Sequence, residues 1–383
     1  MKYTTLFLAA IGGLMTAACS NDSDINNGQT ASEQQERVEI RLGSSLNAVT
    51  RAAYTTTQSD KLAAGQKVYV WIDDHGNGTT SASAYINAWA LTSGADATVT
   101  GLTNPVVLNS DNSYKFYYPN TGNNIDIYAV HGNLLTTDAT PVAITTCTQD
   151  APLTGATAFP TTLTHTIKPN QTGVSMTSEA YTDGYEASDL LVAKNTNCAK
   201  SATSHNLPFQ HLLSKIEVYL FAGNGVTKSD LQDADASLTL LNTKLQATLT
   251  LTKANATIGS VAPATGSTTG TIYMKLQAQD DQAPTDYTAP AGIASDGKAY
   301  RFGEAIIIPQ QFDTVGDGSG SAQNFISFNF KGGGSLVAKV KQDFQSGKRY
   351  IYYITVNRTG LTLTATLTDW TAGTSSPTTG TAE

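Results

Sequence analysis

The chain has 383 residues, a formal net charge of −8 and only 14% charged residues. An acidic chain without a visible basic patch argues against nucleic acid or an anionic membrane surface as a partner, because both bind clustered lysine and arginine. About 360 residues would remain after loss of an export signal. That is more than one ordinary core accommodates, so the length predicts two domains.

The N terminus has the features of an export signal. A positive start is followed by an apolar stretch and then by small residues before Cys19. The apolar run, of about thirteen residues, is shorter than the roughly twenty that a membrane-spanning helix needs. We therefore predict a signal peptide over 1–18, a lipid on Cys19 and a flexible polar tether over 19–36. Thr16 stands where a lipobox typically has leucine, so cleavage after Ala18 by ordinary signal peptidase, with an incidental Cys19, stays open.

Residues 37–42 alternate charged with apolar side chains, which is the period of a β-strand. The pattern places Val38, Ile40 and Leu42 on one face. We predict that this segment is the first strand of the folded body, and that a loose stretch follows it.

Short segments bounded by Gly, Pro, Asn or Asp recur through the rest of the chain and predict a β-rich protein. No long helical crossover is visible, which favours antiparallel pairing in β-sandwiches or related sheets. A second block begins near Ser201, and 134–184 is expected to be irregular, with long loops or a minor helix. The predicted strands are 67–73, 113–118, 124–131, 189–193, 216–220, 244–253, 271–276, 304–308, 325–330, 335–340, 349–356 and 361–370.

The chain offers little for catalysis or metal binding. No two of its five histidines have metal-ligand spacing, and no nucleophile or acid pair stands out, so we predict no enzyme activity, no metal and no other cofactor. Asp73 and Asp74 fit a strand that ends in a turn at least as well as a calcium site. His211 lies among apolar residues ahead of a strand and is expected to be a buried, hydrogen-bonded histidine. The histidines are His75, His131, His165, His205 and His211.

Tryptophan and cysteine leave two questions open. Trp71, Trp89 and Trp370 could form a carbohydrate platform if they are exposed, whereas each taken singly is more typical of a core. Cys147 and Cys198 could form one disulfide in an oxidising compartment, or they could be two small buried apolar residues.

Several segments taken together resemble the fimbrillin family, the subunits of type V pili made by Bacteroidetes. They are the lipoprotein-like start with its acidic run 20–24, the strand 189–193, the run 209–220 and the ending 347–370. The resemblance implies a mainly all-β fold with two antiparallel β-sandwich-like domains in tandem. We place these domains at 37–200 and 201–383, with the boundary near Thr196 to His205.

The resemblance also implies an assembly mechanism. In that family a lipoprotein precursor reaches the outer surface, an arginine-specific protease removes the first strand, and a strand from another subunit fills the vacated groove. Arg51, which precedes Ala52, is at the expected place for the cut. Arg37 and Arg41 are poorer candidates because they lie within the predicted strand. Residues 37–51 would then be a removable first strand.

Elementary energetics is compatible with such an exchange. Removal of Val38, Ile40 and Leu42 from a sheet exposes an apolar groove and unpaired backbone groups. At roughly 1.5 to 3 kcal/mol for each large side chain, the groove offers on the order of 5 to 10 kcal/mol to a replacement strand, before ordering costs. The alternative is a permanent strand followed by an ordinary loop.

The C-terminal tail departs from the family pattern. Residues 371–383 are rich in Thr, Ser, Gly and Pro and have no alternating apolar residues, so they make a poor donor strand. The segment Leu361 to Leu367 could donate only if it were not already part of the body. A tip or accessory position, which accepts a strand and gives none, therefore stands beside a stalk position.

These observations predict a structural subunit of a surface pilus that supports adhesion. Its expected partners are other pilin subunits and a host or bacterial surface ligand, and the lipid on Cys19 would hold it to the outer membrane before processing. Its expected location is the cell surface, first as an outer-membrane lipoprotein precursor and then in the fimbrium. The rival hypothesis is a surface lipoprotein that does not polymerise and binds glycan or a host ligand.

Overall fold

β-Strands make up nearly all the regular structure that the computed structural model describes. The described residues belong to one compact unit, Val38–Glu383. No helix among them is long and apolar enough to cross a membrane. The described residues are 38, 40–46, 67–78, 86–93, 102–105, 118–119, 121–132, 134–135, 161–172, 174–177, 180–255, 258–282 and 297–369.

The first part of the chain supplies eleven of the described strands. In chain order they are β1 (Leu42–Leu46), β2 (Lys67–Asp74), β3 (Ile86–Ser93), β4 (Leu102–Pro105), β5 (Ile125–His131), β6 (Leu134–Leu135), β7 (Thr162–Thr166), β8 (Val174–Thr177), β9 (Ala180–Gly184), β10 (Leu191–Cys198) and β11 (His205–His211). Short 3-10 turns at His75–Asn77 and Glu186–Ser188 interrupt them.

The rest of the chain adds thirteen described strands and one short helix. They are β12 (Ser214–Ala222), α1 (Lys228–Gln232), β13 (Ser237–Lys244), β14 (Gln246–Leu251), β15 (Gly259–Pro263), β16 (Thr269–Tyr273), β17 (Lys275–Gln282), β18 (Lys298–Ile307), β19 (Gln310–Phe312), β20 (Gln323–Asn329), β21 (Ser335–Val340), β22 (Gln342–Phe344), β23 (Lys348–Asn357) and β24 (Gly360–Asp369).

Seven strands close into a barrel in the order β1, β11, β10, β5, β2, β3, β4, with β4 pairing back to β1. Strand β2 is buried on both faces, since Val70 lies in the barrel core whereas Trp71 belongs to the main core outside it. All seven residues of β5 are also buried. Burial on both faces explains why these strands are almost continuously apolar rather than alternating.

The main core takes side chains from two further sheets as well as from barrel strands. One has five strands in the order β17, β18, β12, β23, β24, and the other has four in the order β16, β13, β20, β21. A further sheet in the order β15, β14, β7, β6 joins strands from both parts of the chain. Strand β11, which lies beyond Ser201, completes the barrel. The division into domains at residue 200 stays a prediction.

The mainly all-β, antiparallel fold class is confirmed, with two exceptions among the described strand pairs. Strand β1 runs parallel to β11, and β12 runs parallel to β23. Parallel neighbours need a long connection, which is commonly a helix. Here the described parts of the connections consist mainly of other β-strands, so the lack of long helical patterns did not exclude parallel pairing.

The first strand is shifted relative to its prediction. Strand β1 begins at Leu42, where the predicted strand ends. Of the preceding residues, Val38 and Arg41 each accept one backbone hydrogen bond, and neither lies within a strand. The alternating pattern therefore located the segment that enters the core but not the residues that pair.

The prediction that 134–184 is irregular was wrong in part, because this segment contains β6 to β9. Strand β7 has the sequence TLTHT, whose single large apolar residue gives little periodicity, and its pairing with β14 defines it. The predicted strand 244–253 is also two elements, since Leu245 separates β13 from β14. Most of the predicted strand 113–118 lies outside the described residues.

Candidate functional site: the slot of the first strand

Strand β1 is inserted between two neighbours and closes the barrel. Its residues Leu42–Leu46 pair in parallel with His205–Phe209 of β11, and Leu42 also pairs with Leu102 of β4. We call the space between β4 and β11 that holds Val38–Leu46 the slot. Because β1 is hydrogen-bonded on both sides, its removal would expose unpaired backbone groups on both neighbours.

The segment ahead of β1 is bound on both edges as well. The backbone N–H of His205 donates to the carbonyl oxygen of Arg41 at 2.8 Å, and that of Tyr118 donates to Val38 at 3.1 Å. Carbonyls three residues apart in an extended chain point to opposite sides. Tyr118 and His205 therefore grip opposite edges of the segment.

The side chains that the alternation placed on one face all contact the barrel core. Ile40 and Leu42 are 5% and 7% exposed, Val38 packs against the same cluster, and the intervening Arg41 is exposed. Their removal would open this core to water. The other core residues are Val68, Val70, Ile72, Tyr118, Ile125, Ile127, Ala129, Leu191, Ala193, Cys198, Leu207 and Phe209.

Strand β11 contains a proline, Pro208, that does not interrupt its hydrogen bonding to β1. The N–H of His205 points toward β1, so the N–H of Leu207 has the same direction and the missing donor of Pro208 faces β10. The described ladder between β10 and β11 stops at Gln210, short of Pro208. The proline thus limits pairing with β10 and leaves the edge toward β1 available.

Tyr118 and His205 are also joined through their side chains. The Tyr118 hydroxyl donates to the carbonyl of Ala199 at 2.9 Å and is hydrogen-bonded to Nε2 of His205, with the two rings edge to face. Burial raises the pKa of Tyr118 and lowers the pKa of His205, so both groups are neutral near pH 7. Sequence reasoning gave neither residue a role, because 87 positions separate them.

The acidic turn after β2 is satisfied by protein groups. Asp73 forms a buried ion pair with Lys253 at 2.7 Å. Asp74 accepts hydrogen bonds from the N–H of Gly76 at 2.8 Å, from Asn123 at 2.9 Å and from the Thr121 hydroxyl at 2.6 Å. Among the residues that the structure describes, no group of three or more His, Cys, Asp or Glu side chains could hold a metal ion.

His211 is a buried histidine with a partner, as expected. It is 6% exposed, and its Nδ1 lies 3.1 Å from the Asp189 carboxylate. His165 is fully buried and donates through Nε2 to the carbonyl of Ser188 at 2.9 Å. Burial lowers the pKa of His165 to about 4, so this ring is neutral at pH 7.

The remaining candidate residues divide into buried and undescribed ones. Trp71 is 1% exposed and is a core residue, so it offers no carbohydrate platform. Cys198 is buried and has a free thiol. The other predicted residues lie outside the described residues, so lipidation and cleavage stay predictions; they are Cys19, Arg51, Ala52, Cys147, Trp370 and the side chain of Trp89.

The last strand is part of the folded body. Strand β24 pairs with β23 over its whole length, from Lys348 opposite Asp369 to Asn357 opposite Gly360. Leu361 and Leu363 pack against the main core. The segment 361–367 is thus committed to the sheet and is not a free donor strand.

Comparison with known proteins agrees with this architecture. A family model described as fimbrillin-like matches residues 50–370. A Bacteroides uniformis structure provisionally assigned to cell adhesion has a TM-score of 0.51 at 17% identity, with 88% of this chain and 99% of that chain covered. A similarly assigned Bacteroides ovatus structure also has a TM-score of 0.51, at 13% identity, with 87% and 98% covered. The tip fimbrial protein Mfa3 of Porphyromonas gingivalis, truncated at its C terminus, has a TM-score of 0.42 at 9% identity, with 87% and 100% covered.

A search of curated proteins finds no match. At such low identities the two Bacteroides structures show a shared fold and nothing finer. The family match extends from just before Arg51 to the end of β24, which is well over half of the chain. It confirms the resemblance noted in the sequence. The chain belongs to the fimbrillin-like family and is a pilus- or adhesion-related protein of the cell surface.

Proposed function

We propose that this protein is a structural pilus subunit whose first strand is cut off after Arg51 and replaced by a strand of another subunit. The observation that carries the proposal is the position of Val38–Leu46. This segment fills the slot between β4 and β11, and it precedes Arg51 in the chain. A cut at Arg51 would free it from the body without dividing any described β-ladder of the rest of the chain. The family match also begins at residue 50, beside that arginine.

The barrel is built so that one strand can leave at limited cost to the others. Without β1, six strands remain paired in sequence, from β11 through β10, β5, β2 and β3 to β4. The vacated slot would expose the binding positions of three apolar side chains, worth on the order of 5 to 10 kcal/mol to a new occupant before ordering costs. Strand addition to an open sheet edge is an established mode of recognition.

The N terminus suggests the order of events that would precede this exchange in the cell. Signal cleavage would expose Cys19, and its lipid would hold the precursor at the outer membrane. Since Cys19 and the slot segment both precede Arg51, one cut separates the lipid from the body. The anchor would then be temporary, and the processed subunit would pass into the fimbrium with other pilin subunits as partners and a host or bacterial surface ligand as a further one.

A tip or accessory position fits the C terminus better than a stalk position. A stalk subunit must both accept and donate a strand. Strand β24 is fully paired with β23, and the sequence after it lacks alternating apolar residues. We propose that the subunit accepts a strand in its slot and ends a chain of subunits.

The cleavage step can be tested with two substitutions at one position. Arg51→Ala should block cutting at residue 51 by an arginine-specific protease and by trypsin, whereas Arg51→Lys should block only the former. After treatment with the arginine-specific protease, neither variant should take up a donor strand from other pilin subunits. After treatment with trypsin, Arg51→Lys should take one up as the wild type does.

The controls separate cleavage from folding. Both variants should keep the circular dichroism spectrum and melting temperature of the wild-type precursor. The proposal is wrong if Arg51→Ala enters fimbriae normally in cells and mass spectrometry shows that its N-terminal segment is still attached. Arg41→Ala serves as a matched control, because loss of an exposed arginine within the slot segment should leave cutting at Arg51 unchanged.

A further inference from the structure

At one end of the slot, two residues on opposite edges are joined by a side-chain hydrogen bond. Strand exchange does not by itself require this bond. Tyr118 binds the Val38 carbonyl on one edge of the slot segment, and His205 binds the Arg41 carbonyl on the other edge. The side chains of these same two residues are hydrogen-bonded to each other. The two residues whose backbone N–H groups bind opposite edges of the slot segment are therefore linked to each other by a side-chain hydrogen bond.

We propose that the Tyr118–His205 pair is a positioning device that holds the outer end of whichever strand fills the slot; this inference rests on the proposed function. The Tyr118 ring belongs to the barrel core that receives Ile40 and Leu42. Its hydroxyl reaches Ala199, just beyond β10, as well as His205 at the start of β11. The side chain of Tyr118 thus connects one edge of the slot with β11 on the other edge.

The pair defines what a strand must present at this end. The occupant needs two carbonyls three residues apart, as Val38 and Arg41 supply them, with an apolar side chain between them at the position of Ile40. A shift by one residue would turn the apolar face outward. A shift by two keeps the face and again presents two carbonyls three residues apart, so the two donors do not choose between such registers. They require instead that the occupant extend beyond its first buried side chain.

The partner chemistry follows from these contacts. The fitting occupant is an extended segment of another subunit that is apolar at alternate positions and enters with at least one residue ahead of its first buried side chain. In the present occupant Val38 is the residue that supplies the outer carbonyl. A segment that began at the position of Ile40 would fill the core but lose the Tyr118 contact.

Release and capture of peptides test the pair. The precursor is cut at Arg51, and departure of a fluorescent first strand is followed in the presence of excess unlabelled peptide of residues 37–51. Tyr118→Phe keeps the ring and loses the hydroxyl bonds, so release should accelerate on the order of fivefold to tenfold. His205→Phe, which loses only the bond to Tyr118, should act in the same direction. The double variant should be no faster than Tyr118→Phe, because that variant has already lost the bond between the two side chains.

Two further readouts separate positioning from general weakening. Wild type should bind peptide 37–51 about tenfold more tightly than peptide 40–51, and this ratio should shrink in Tyr118→Phe. Tyr350→Phe is the matched control, since its buried hydroxyl donates to the Asp343 carbonyl at 2.8 Å and its strand, β23, belongs to a sheet other than the barrel. It should lower the melting temperature without changing the release rate or the peptide ratio.

The outcomes distinguish this inference from the proposed function. If wild type exchanges its strand and both slot variants match it in release rate and peptide ratio, the pair has no positioning role while the function stands. If Tyr350→Phe changes release as much as Tyr118→Phe, the effect is general and the inference fails. If the cut strand leaves neither wild type nor any variant and no peptide enters, both the proposed function and the inference are overturned.

Discussion

Two parallel strand pairs, in different parts of the molecule, differ in whether a single cut in the chain could free one of their strands. At the slot, β1 meets β11 over five paired residues and lies at the start of the described chain. In the five-stranded sheet, β12 meets β23 over eight residues and pairs on its other side with β18. Both strands have two neighbours. Only β1 can be separated from the body by one cut in the chain.

The two pairs also differ in what their side chains bury. The slot segment brings aliphatic side chains to an apolar core, which any strand with the same alternation could replace. Strand β12 instead buries Lys215 between Glu217, at 2.7 Å, and Glu304, at 3.1 Å, with every one of these side chains less than 5% exposed. Arg349 and Lys275 approach the same carboxylates at 3.9 and 3.6 Å. A buried ionic group of this kind tolerates no substitute strand, because each charge needs its own partner.

The largest expected effect on stability is at the pair formed by β12 and β23. Lys215→Met leaves the carboxylates of Glu217 and Glu304 without their closest cation, so the free energy of unfolding should fall by about 3 to 5 kcal/mol. Urea unfolding followed by tryptophan fluorescence measures it. Lys331→Met removes an exposed cation beside Asp233 and Asp235 and should be indistinguishable from wild type. Equal effects of the two substitutions would contradict the contrast between the regions.

At the slot, Ile40→Ala should lower the unfolding free energy of the precursor by about 3 kcal/mol, because it empties a position in the barrel core. Once the first strand has been exchanged, the same substitution should have no effect, since residue 40 is no longer present. Calorimetry of the precursor and of assembled subunits compares the two states. A defect that persists in assembled subunits would show that the original strand had stayed in the slot.

Acid should act on the body through His165. Its pKa is about 4 in the folded protein against 6.5 for a free histidine, so the unfolded chain binds the extra proton between these values. Stability contributed by the neutral ring is complete above pH 6.5 and is lost as the pH falls toward 4, by up to about 3 kcal/mol. His165→Gln should flatten this part of the profile of unfolding free energy against pH. An unchanged slope would contradict the burial of a neutral His165.

Strands with a clear pattern of apolar residues in the sequence were predicted closely. Strand β21 matches its prediction over 335–340, β2 and β5 differ by one residue at one end, and β23 is longer by one residue at each end. The glycines 332–334 lie between β20 and β21, and their φ angles of 81°, 98° and 97° explain the choice of glycine there. In these places local chemistry and tertiary structure agree.

Other features depend on partners far away in the chain and left no local signal. Strand β7 is defined by β14, and both parallel pairs join segments more than a hundred residues apart. The alternation at Val38, Ile40 and Leu42 identified the slot segment, but Tyr118 and His205 meet only in the folded barrel. The main part of the candidate site was thus predictable, whereas the pair that grips it was not.

The most direct test is to determine which strand lies between β4 and β11 in the assembled polymer, by electron cryomicroscopy of isolated fimbriae and mass spectrometry of the subunit's N terminus. We predict that the subunit begins at Ala52 and that a strand from another chain fills the slot, with apolar residues at alternate positions. A polymer in which Val38–Leu46 of the same chain still occupies the slot would contradict strand exchange.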